Sequence, residues 1–446
     1  MTTAPHPGST MLDASAEAAA ALSLADFHLG HDTDPLAAAP GFTQWRRMAP
    51  AYHALVERRL AAGVGPHTAL QLGGQARPML NIASLDYLGL AAHPAVIEAQ
   101  QAALSRWGNG SAGVPLMSGM TALHEELQDE LRLLTGRSGS MLFTSGFAAA
   151  IGLCVALLHR GDVAVLDEKA HMSWMDGVRL SGARLATFSH NDPQALDAVL
   201  QRTTGSRRAV IVDALYSMDG DFAPLPELLA VCQRHGVGLI VDEAHSVFAD
   251  GPGGGGTTAR LGQQQGVRVF MGTFSKALSM VGGFLAADAE LIDYMRYFSH
   301  PYVFSGAMPP ATVAGITAAL RVVRAEPQRQ QRLVDNADYL RMQLQALGLD
   351  TGLSQSWIVP VIFGRRRDLL FEATRLLMQR GVYAAPVDFP AVPEDRVRLR
   401  VAVSAAHTRA DLDEALHHFA EVVVPPLREA GLLRPPAGEA VPGAGA

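Results

Sequence analysis

Short apolar runs, each ending on a charged or polar residue and separated from the next by a helix-like stretch, are what most constrain the fold of this chain. Ala209 to Val212, Val237 to Val241 and Val267 to Met271 are such runs, and Val163 to Leu166 is another. Met117 to Leu134 and Leu225 to His235 read as helices between them. Strands that are apolar throughout rather than at alternate positions are buried on both faces, and helical spacers between them make βαβ units. An α/β fold follows, with a large, mostly parallel sheet covered by helices on both sides. In open sheets of this kind ligands sit beyond the carboxyl ends of the strands, so the residues after each run are the ones to inspect.

The length of 446 residues leaves room for more than one core. Beyond the sheet region, Ala311 to Ala346 reads as a long helix interrupted near Pro327. Ile358 to Phe363, a helix from Arg367 to Arg380, Arg396 to Val403 and a helix from Arg409 to Ala420 then make a smaller α+β unit. We expect an N-terminal tail and arm over 1–80, a large domain over 81–310, a C-terminal domain over 311–432 and a tail over 433–446. Residues 1 to about 40 and those from about Pro435 share a bias to Ala, Pro and Gly without a sustained period. The stretch Ala14 to Leu24 is short and interrupted by Glu17, which argues against a signal peptide or membrane span.

Composition narrows the function classes. Hydrophobic residues make up 48% and charged ones 18%, which fits an ordered enzyme. A net charge of -7 gives no general attraction to nucleic acid. Two cysteines, Cys154 and Cys232, sit in apolar helix-like stretches, so buried thiols in a cytoplasmic protein are expected, with no metal site. Gly108 to Gly113 fits a dinucleotide fingerprint literally, but a helix-like stretch, Pro94 to Trp107, precedes it where a strand is required. That loop is expected to approach a ligand or a partner subunit with its backbone. Gly253 to Gly256 reads as a flexible turn.

The strand ends carry unusual chemistry. Asp213 through Ser217-Met218-Asp219-Gly220 follow Val212; Asp242-Glu243-Ala244-His245 follow Val241; Asp167 and His171 follow Leu166. After Met271 comes Gly272-Thr273-Phe274-Ser275-Lys276, which offers one amine among hydroxyls and backbone donors. A solvated lysine is a poor nucleophile, whereas one desolvated beside an aldehyde forms an imine at neutral pH. Such chemistry needs an electron sink, and Asp242 is placed to keep a ring nitrogen protonated. The bland reading of Asp242 and His245 is a strand-end helix cap and a surface histidine. His171 is either a flat ring stacked on a cofactor or a satisfied core histidine. Thr144-Ser145-Gly146-Phe147-Ala148 resembles a turn opening a helix, whose first amides bind a phosphate dianion.

These segments, in this order, together with Asp86-Tyr87-Leu88-Gly89-Leu90, Ser217 through Asp221 and Ser404-Ala405-Ala406-His407, resemble the α-oxoamine synthases, which are fold-type I pyridoxal phosphate-dependent transferases. The match runs from about Asn81 to Phe419. The resemblance implies pyridoxal 5′-phosphate as cofactor, a homodimer with active sites at the subunit interface, and decarboxylative condensation of a small amino acid with an acyl thioester. It makes Lys276 the imine lysine and proton-transfer group, His171 the stacking ring and Asp242 the partner of the ring nitrogen. His245 and Ser217 would contact the phenolic oxygen. Ser145, Gly146, Phe147, Thr273 and Ser275 would hold the phosphate, with Ser305 from the second subunit. Arg400 matches the arginine for the amino-acid carboxylate, and Arg398, two residues away on the same strand face, is its comparison.

The chain departs from the family pattern at Leu85 and Ala150, where asparagines are common, and these losses predict a more apolar pocket. Asp213 stands where a glutamate is common. Arg58 and Arg59 do not align securely with the family's N-terminal arginine. Aminotransfer or retro-aldol cleavage on the same fold is the alternative chemistry, and a non-catalytic scaffold is a third reading.

Overall fold

The computed structural model describes residues 34, 36–39, 41–48, 55–203 and 207–434. The stretch from Ala14 to Leu24 and the C-terminal bias from Pro435 lie outside these residues, as does most of the N-terminal one.

A hairpin of β1 (His67–Leu72) and β2 (Gln75–Asn81) leads into the main sheet. Its strands are β3 (Gly139–Phe143), β4 (Val163–Asp167), β5 (Arg184–Phe188), β6 (Arg208–Asp213), β7 (Gly238–Asp242), β8 (Val269–Thr273) and β9 (Gly283–Ala287). They lie in the order β3-β9-β8-β7-β6-β4-β5. The pairs from β8 through β7, β6 and β4 to β5 are parallel, and β9 runs antiparallel to both β3 and β8. Every residue of β3, β4, β8 and β9 is buried, which is why these strands read as continuous apolar runs.

Alternate residues serve opposite faces. Ala164, Leu166, Ile211 and Ile240 pack with Leu153 and Trp174 of the helices Gly146–Leu157 and Met172–Ser181. Val163, Val165, Val210, Val212 and Val241 pack with Leu196 and Leu228 of the helices Pro193–Arg202 and Leu225–Arg234. Each such side chain contributes about 1.5–3 kcal/mol on burial. A third cluster runs from Leu142, Phe270 and Phe284 to Val359, Leu399 and Val401. Those last three lie in a smaller sheet of β10 (Ile358–Gly364), β12 (Ala385–Val387) and β13 (Val397–Ala402), with β13 central and antiparallel to both neighbours. Between these in the chain, β11 (Val382–Tyr383) pairs with β2.

The long C-terminal helix is two, Pro310–Ala325 and Gln328–Ala346, broken at the expected Pro327. The helix expected from Met117 begins only at Ala122. Gly119 packs so closely on Gly113 that no Cβ fits there, and Thr121 and His124 cap the helix start with a 2.8 Å side-chain contact. Gly113 therefore approaches this chain's own backbone, while Gly108 and Gly110 face open space.

The Gly253 to Gly256 run is a turn packed from Gly254 onward, with Gly253 facing open space. Gly256, at φ +81°, has the Glu243 carboxylate where a Cβ would stand, and Thr257 and Thr258 donate backbone N–H bonds of 2.9 and 2.7 Å to that carboxylate. Burial lifts Glu243 to a pKa of about 7 against those donors. Both cysteines are buried free thiols. Among the described residues, no helix is long and apolar enough to cross a membrane.

Candidate active site

The carboxyl ends of β4, β6, β7 and β8 open onto a cavity of ≈ 230 Å³. Of the residues expected at a cofactor, Ser145, Gly146, Phe147, His171, Asp242, His245, Thr273, Ser275 and Lys276 line it. Ser173, Asp213, Ala244 and Met271 line it as well.

β7 ends on Asp242, which is buried. Its Oδ1 accepts the Ala244 N–H at 2.9 Å, and its Oδ2 accepts the indole N–H of Trp174 at 2.8 Å. His171 caps the helix that carries Trp174: its Nδ1 accepts the Ser173 N–H at 3.3 Å and lies 2.8 Å from the Ser173 hydroxyl. The His171 N–H in turn donates to Asp213 Oδ1 at 3.3 Å. Burial lowers the pKa of His171, with Asp242 opposing and Lys276 adding to the shift. Asp213 is pushed well above the usual carboxylate range by burial and by the charge of Asp242.

Lys276 follows β8 on a turn anchored by Phe274, whose ring stacks against Phe248 and Phe284 at 6.0 and 5.4 Å in a cluster of three. Burial draws the Lys276 amine down to about 8; Asp242 and Asp213 hold it up, and Arg400 pushes it further down. His245 is held well below its ordinary pKa by burial, then by Lys276, Arg400 and His171. The Tyr87 hydroxyl lies 2.8 Å from His245 Nδ1, and burial raises its own pKa. Tyr87 thus keeps its proton, and the direction of the hydrogen bond it shares with His245 follows the tautomer of that ring.

At the other end of the cavity, Ser145 caps the helix Gly146–Leu157 by accepting the Ala148 N–H at 3.0 Å. The Gly146 and Phe147 N–H groups are then the free donors of the first turn. A Cβ on Gly146 would stand 3.1 Å from Thr273 Cβ and 3.2 Å from Met271 Cε, a tight fit that glycine avoids. The Thr273 and Ser275 hydroxyls, 2.9 Å apart, face the same end.

The two arginines of β13 part company. Arg398 is fully buried and donates to Asp219 Oδ1 and to the Met218 carbonyl, both at 2.8 Å. Lys169 reaches the other oxygen of Asp219 at 3.0 Å. Burial would raise the Asp219 pKa, but these two cations hold it below the ordinary value. Arg400 Nε is buried with no hydrogen-bond partner among the described residues.

Some expectations are not met within one chain. Ser217, Ser305 and Arg400 do not line the cavity. Leu85 and Ala150 do not line it either: Ala150 is fully buried in the core and Leu85, half-buried, packs against core side chains. Arg58, left unassigned from sequence, donates to the Ala384 carbonyl at 3.1 Å and has Nε and Nη2 buried without partners. The signal for Tyr87 was present, since it lies in the Asp86 to Leu90 motif. That of Trp174 was its place three residues after His171, one helical turn on. Two more motif carboxylates are structural: His190 bridges Asp167 at 2.9 Å and Asp221 at 2.8 Å. Burial alone would lower His190, yet these two partners raise it to about 9.

Residues 77–419 match the family described as aminotransferase class I and II. The chain is 38% identical over 345 residues to a serine palmitoyltransferase of Sphingobacterium spiritivorum, covering 77% of this chain and 86% of the relative. It is 41% identical over 345 residues to an 8-amino-7-oxononanoate synthase of Cellvibrio japonicus, covering 77% and 86%. The chain is 40% identical over 356 residues to a Mycobacterium tuberculosis relative named as a putative 8-amino-7-oxononanoate synthase 2, covering 80% of this chain and 46% of the relative, so it spans about half of that relative's length. Among solved structures, a serine palmitoyltransferase from S. paucimobilis with a bound PLP–myriocin aldimine superposes with a TM-score of 0.79 at 29% identity, covering 84% of this chain and 93% of that one.

The cavity fits that cofactor chemically. It offers helix N-terminal amides and the Ser275 hydroxyl for a phosphate, while the Thr273 hydroxyl donates to the Gly282 carbonyl at 2.8 Å; a buried carboxylate for a protonated ring nitrogen, an imidazole and a desolvated amine complete the set.

Proposed function

Because the chain belongs to the α-oxoamine synthases, a pyridoxal phosphate-dependent group within the aminotransferase class I and II family, we propose that it joins a small amino acid to an acyl thioester with loss of CO2. The amino acid is glycine, alanine or serine, the thioester is carried by coenzyme A or an acyl carrier protein, and the products are an α-amino ketone, CO2 and the free thiol. The observation that supports this most is the Lys276 amine, drawn down to about 8, in one cavity with Asp242, His171 and His245 and under the charge of Arg400, whose Nε has no hydrogen-bond partner among the described residues.

Pyridoxal phosphate, when bound, supplies an electrophilic aldehyde and an electron-accepting ring. Gly146, Phe147, Thr273 and Ser275 would hold its phosphate, Ser145 shaping that turn, and Asp242 would accept a hydrogen bond from the ring nitrogen. His171 would stack on the ring, and His245 and Ser217 would contact its phenolic oxygen. Arg400 grips the amino-acid carboxylate in a bidentate pair, which fixes the direction of the Cα–H bond. Lys276 takes the proton from Cα and returns one after condensation. In the net reaction a bond forms between Cα and the acyl carbon, the thioester C–S bond breaks, and the Cα–carboxylate bond is lost as CO2.

This reading includes a homodimer in which the second subunit brings Ser305 to the phosphate. What supports it is that Ser305 lies off the cavity of its own chain and that its neighbour Phe304 is 79% exposed.

The test is product formation by the cofactor-loaded protein with glycine, L-alanine and L-serine in turn, each with a long-chain acyl-CoA. Free thiol and CO2 are expected to appear in equal amounts with one of the three. Transfer of the amino group to a 2-oxo acid without thiol release would instead establish aminotransfer and overturn the proposal.

A further inference from the structure

We infer that Trp174 is a positioning residue for Asp242, its indole N–H setting the rotation of the carboxylate that faces the cofactor ring. The inference rests on the reading that Asp242 accepts a hydrogen bond from the ring nitrogen.

The geometry is a two-point hold. Ala244 N–H fixes Oδ1 at 2.9 Å from the strand end, and Trp174 Nε1–H fixes Oδ2 at 2.8 Å from the helix Met172–Ser181. With both oxygens anchored, the plane of the carboxylate is determined, and its remaining lone pairs are directed from a stationary group. A charge-assisted bond from a donor without access to water is about twice as strong as a neutral one. Trp174 is itself immobile: it is fully buried and packs among the apolar side chains on the Leu153 and Ile211 face of the sheet.

The simpler explanation is that a buried indole takes whatever acceptor is near. Two observations weigh against it. Trp357, also buried, leaves its Nε1–H without a partner, so this fold accommodates an unsatisfied indole. And the acceptor of Trp174 is neither backbone nor surface but the side chain of a cavity-lining carboxylate.

The same helix begins at His171, another cavity residue. One short helix thus holds both a ring face through His171 and the ring-nitrogen partner through Trp174, so their relative placement does not depend on a loop.

The experiment replaces Trp174 with phenylalanine, which keeps an aromatic ring in the core and removes the N–H. Dissociation of pyridoxal phosphate and the thermal midpoints of the cofactor-free and loaded proteins are measured, with Asp242→Asn and the double variant alongside. Trp174→Phe is expected to weaken cofactor binding roughly ten-fold, as the loss of one hydrogen bond to a charged group does. It should shrink the rise in thermal midpoint on loading while leaving the cofactor-free midpoint within a few degrees. The double variant should bind no more weakly than Asp242→Asn alone.

Cofactor affinity of Trp174→Phe within two-fold of the parent overturns the inference, and so do additive losses in the double variant, which mark a packing role. If Asp242→Asn itself leaves affinity unchanged, the reading of Asp242 falls first. Should Trp174→Phe not fold, Trp174→His, which keeps a ring N–H, is compared with Trp174→Leu, which does not. Better retention of the cofactor by the histidine variant supports the inference, and equal losses overturn it.

Discussion

Lys276→Ala is expected to take turnover of the cofactor-loaded protein to background, a loss of at least about 10³-fold, since a single positioned proton transfer is worth roughly 10²- to 10⁴-fold. The visible absorbance that depends on covalent attachment of the cofactor should vanish with it. The amine has a second signature. Only its unprotonated form adds to a carbonyl, and its pKa is drawn down to about 8 by burial. The rate at which the cofactor-free protein captures pyridoxal phosphate should therefore rise with pH and level off above about 8, rather than climb on toward the range of a solvated lysine. Turnover of Lys276→Ala within ten-fold of the parent, or a capture rate still climbing above pH 10, contradicts this assignment.

The second large effect separates two arginines that stand two residues apart. Arg400→Ala should lower kcat/KM for the amino acid by roughly 10²- to 10³-fold, in the range of about 2–5 kcal/mol for truncating one member of a buried charge pair. The thermal midpoint should stay near that of the parent, because Arg400 Nε has no protein partner to lose. Arg398→Ala should do the reverse. It strands Asp219 in a buried site with Lys169 alone, and breaking such a pair costs about 3–5 kcal/mol of stability. Steady-state kinetics against amino acid and thioester separately, with thermal unfolding of both variants, decide the matter. If Arg400→Ala moved only the thioester KM, the carboxylate assignment would be wrong.

Which parts of this molecule were legible in the chain follows from distance. The strands of the main sheet are buried on both faces, so they announce themselves as apolar runs, and their ends deliver Asp242, His171 and Lys276 to one place by topology alone. The break at Pro327 is a local rule of backbone chemistry and was equally readable. What escaped depends on partners far apart in sequence. Trp174 finds Asp242 across 68 positions and Tyr87 finds His245 across 158. The late start of the helix at Ala122 comes from packing of Gly119 on Gly113, which no helical periodicity records. Arg398 and Arg400 share a strand face, and only the approach of Asp219, 179 positions away, tells them apart.

The pairing of Arg398 with Asp219 joins the strand that carries Arg400 to the loop that follows β6. Two sheets that meet through apolar side chains are able to slide by small amounts, whereas a buried ion pair with a backbone acceptor beside it has a single register. In the proposed reaction that register holds the Arg400 guanidinium for the carboxylate that glycine, alanine and serine have in common. Discrimination among the three would then fall to the walls around the side-chain position, and retuning it by substitution calls for changes there, with the Arg398–Asp219 pair left untouched.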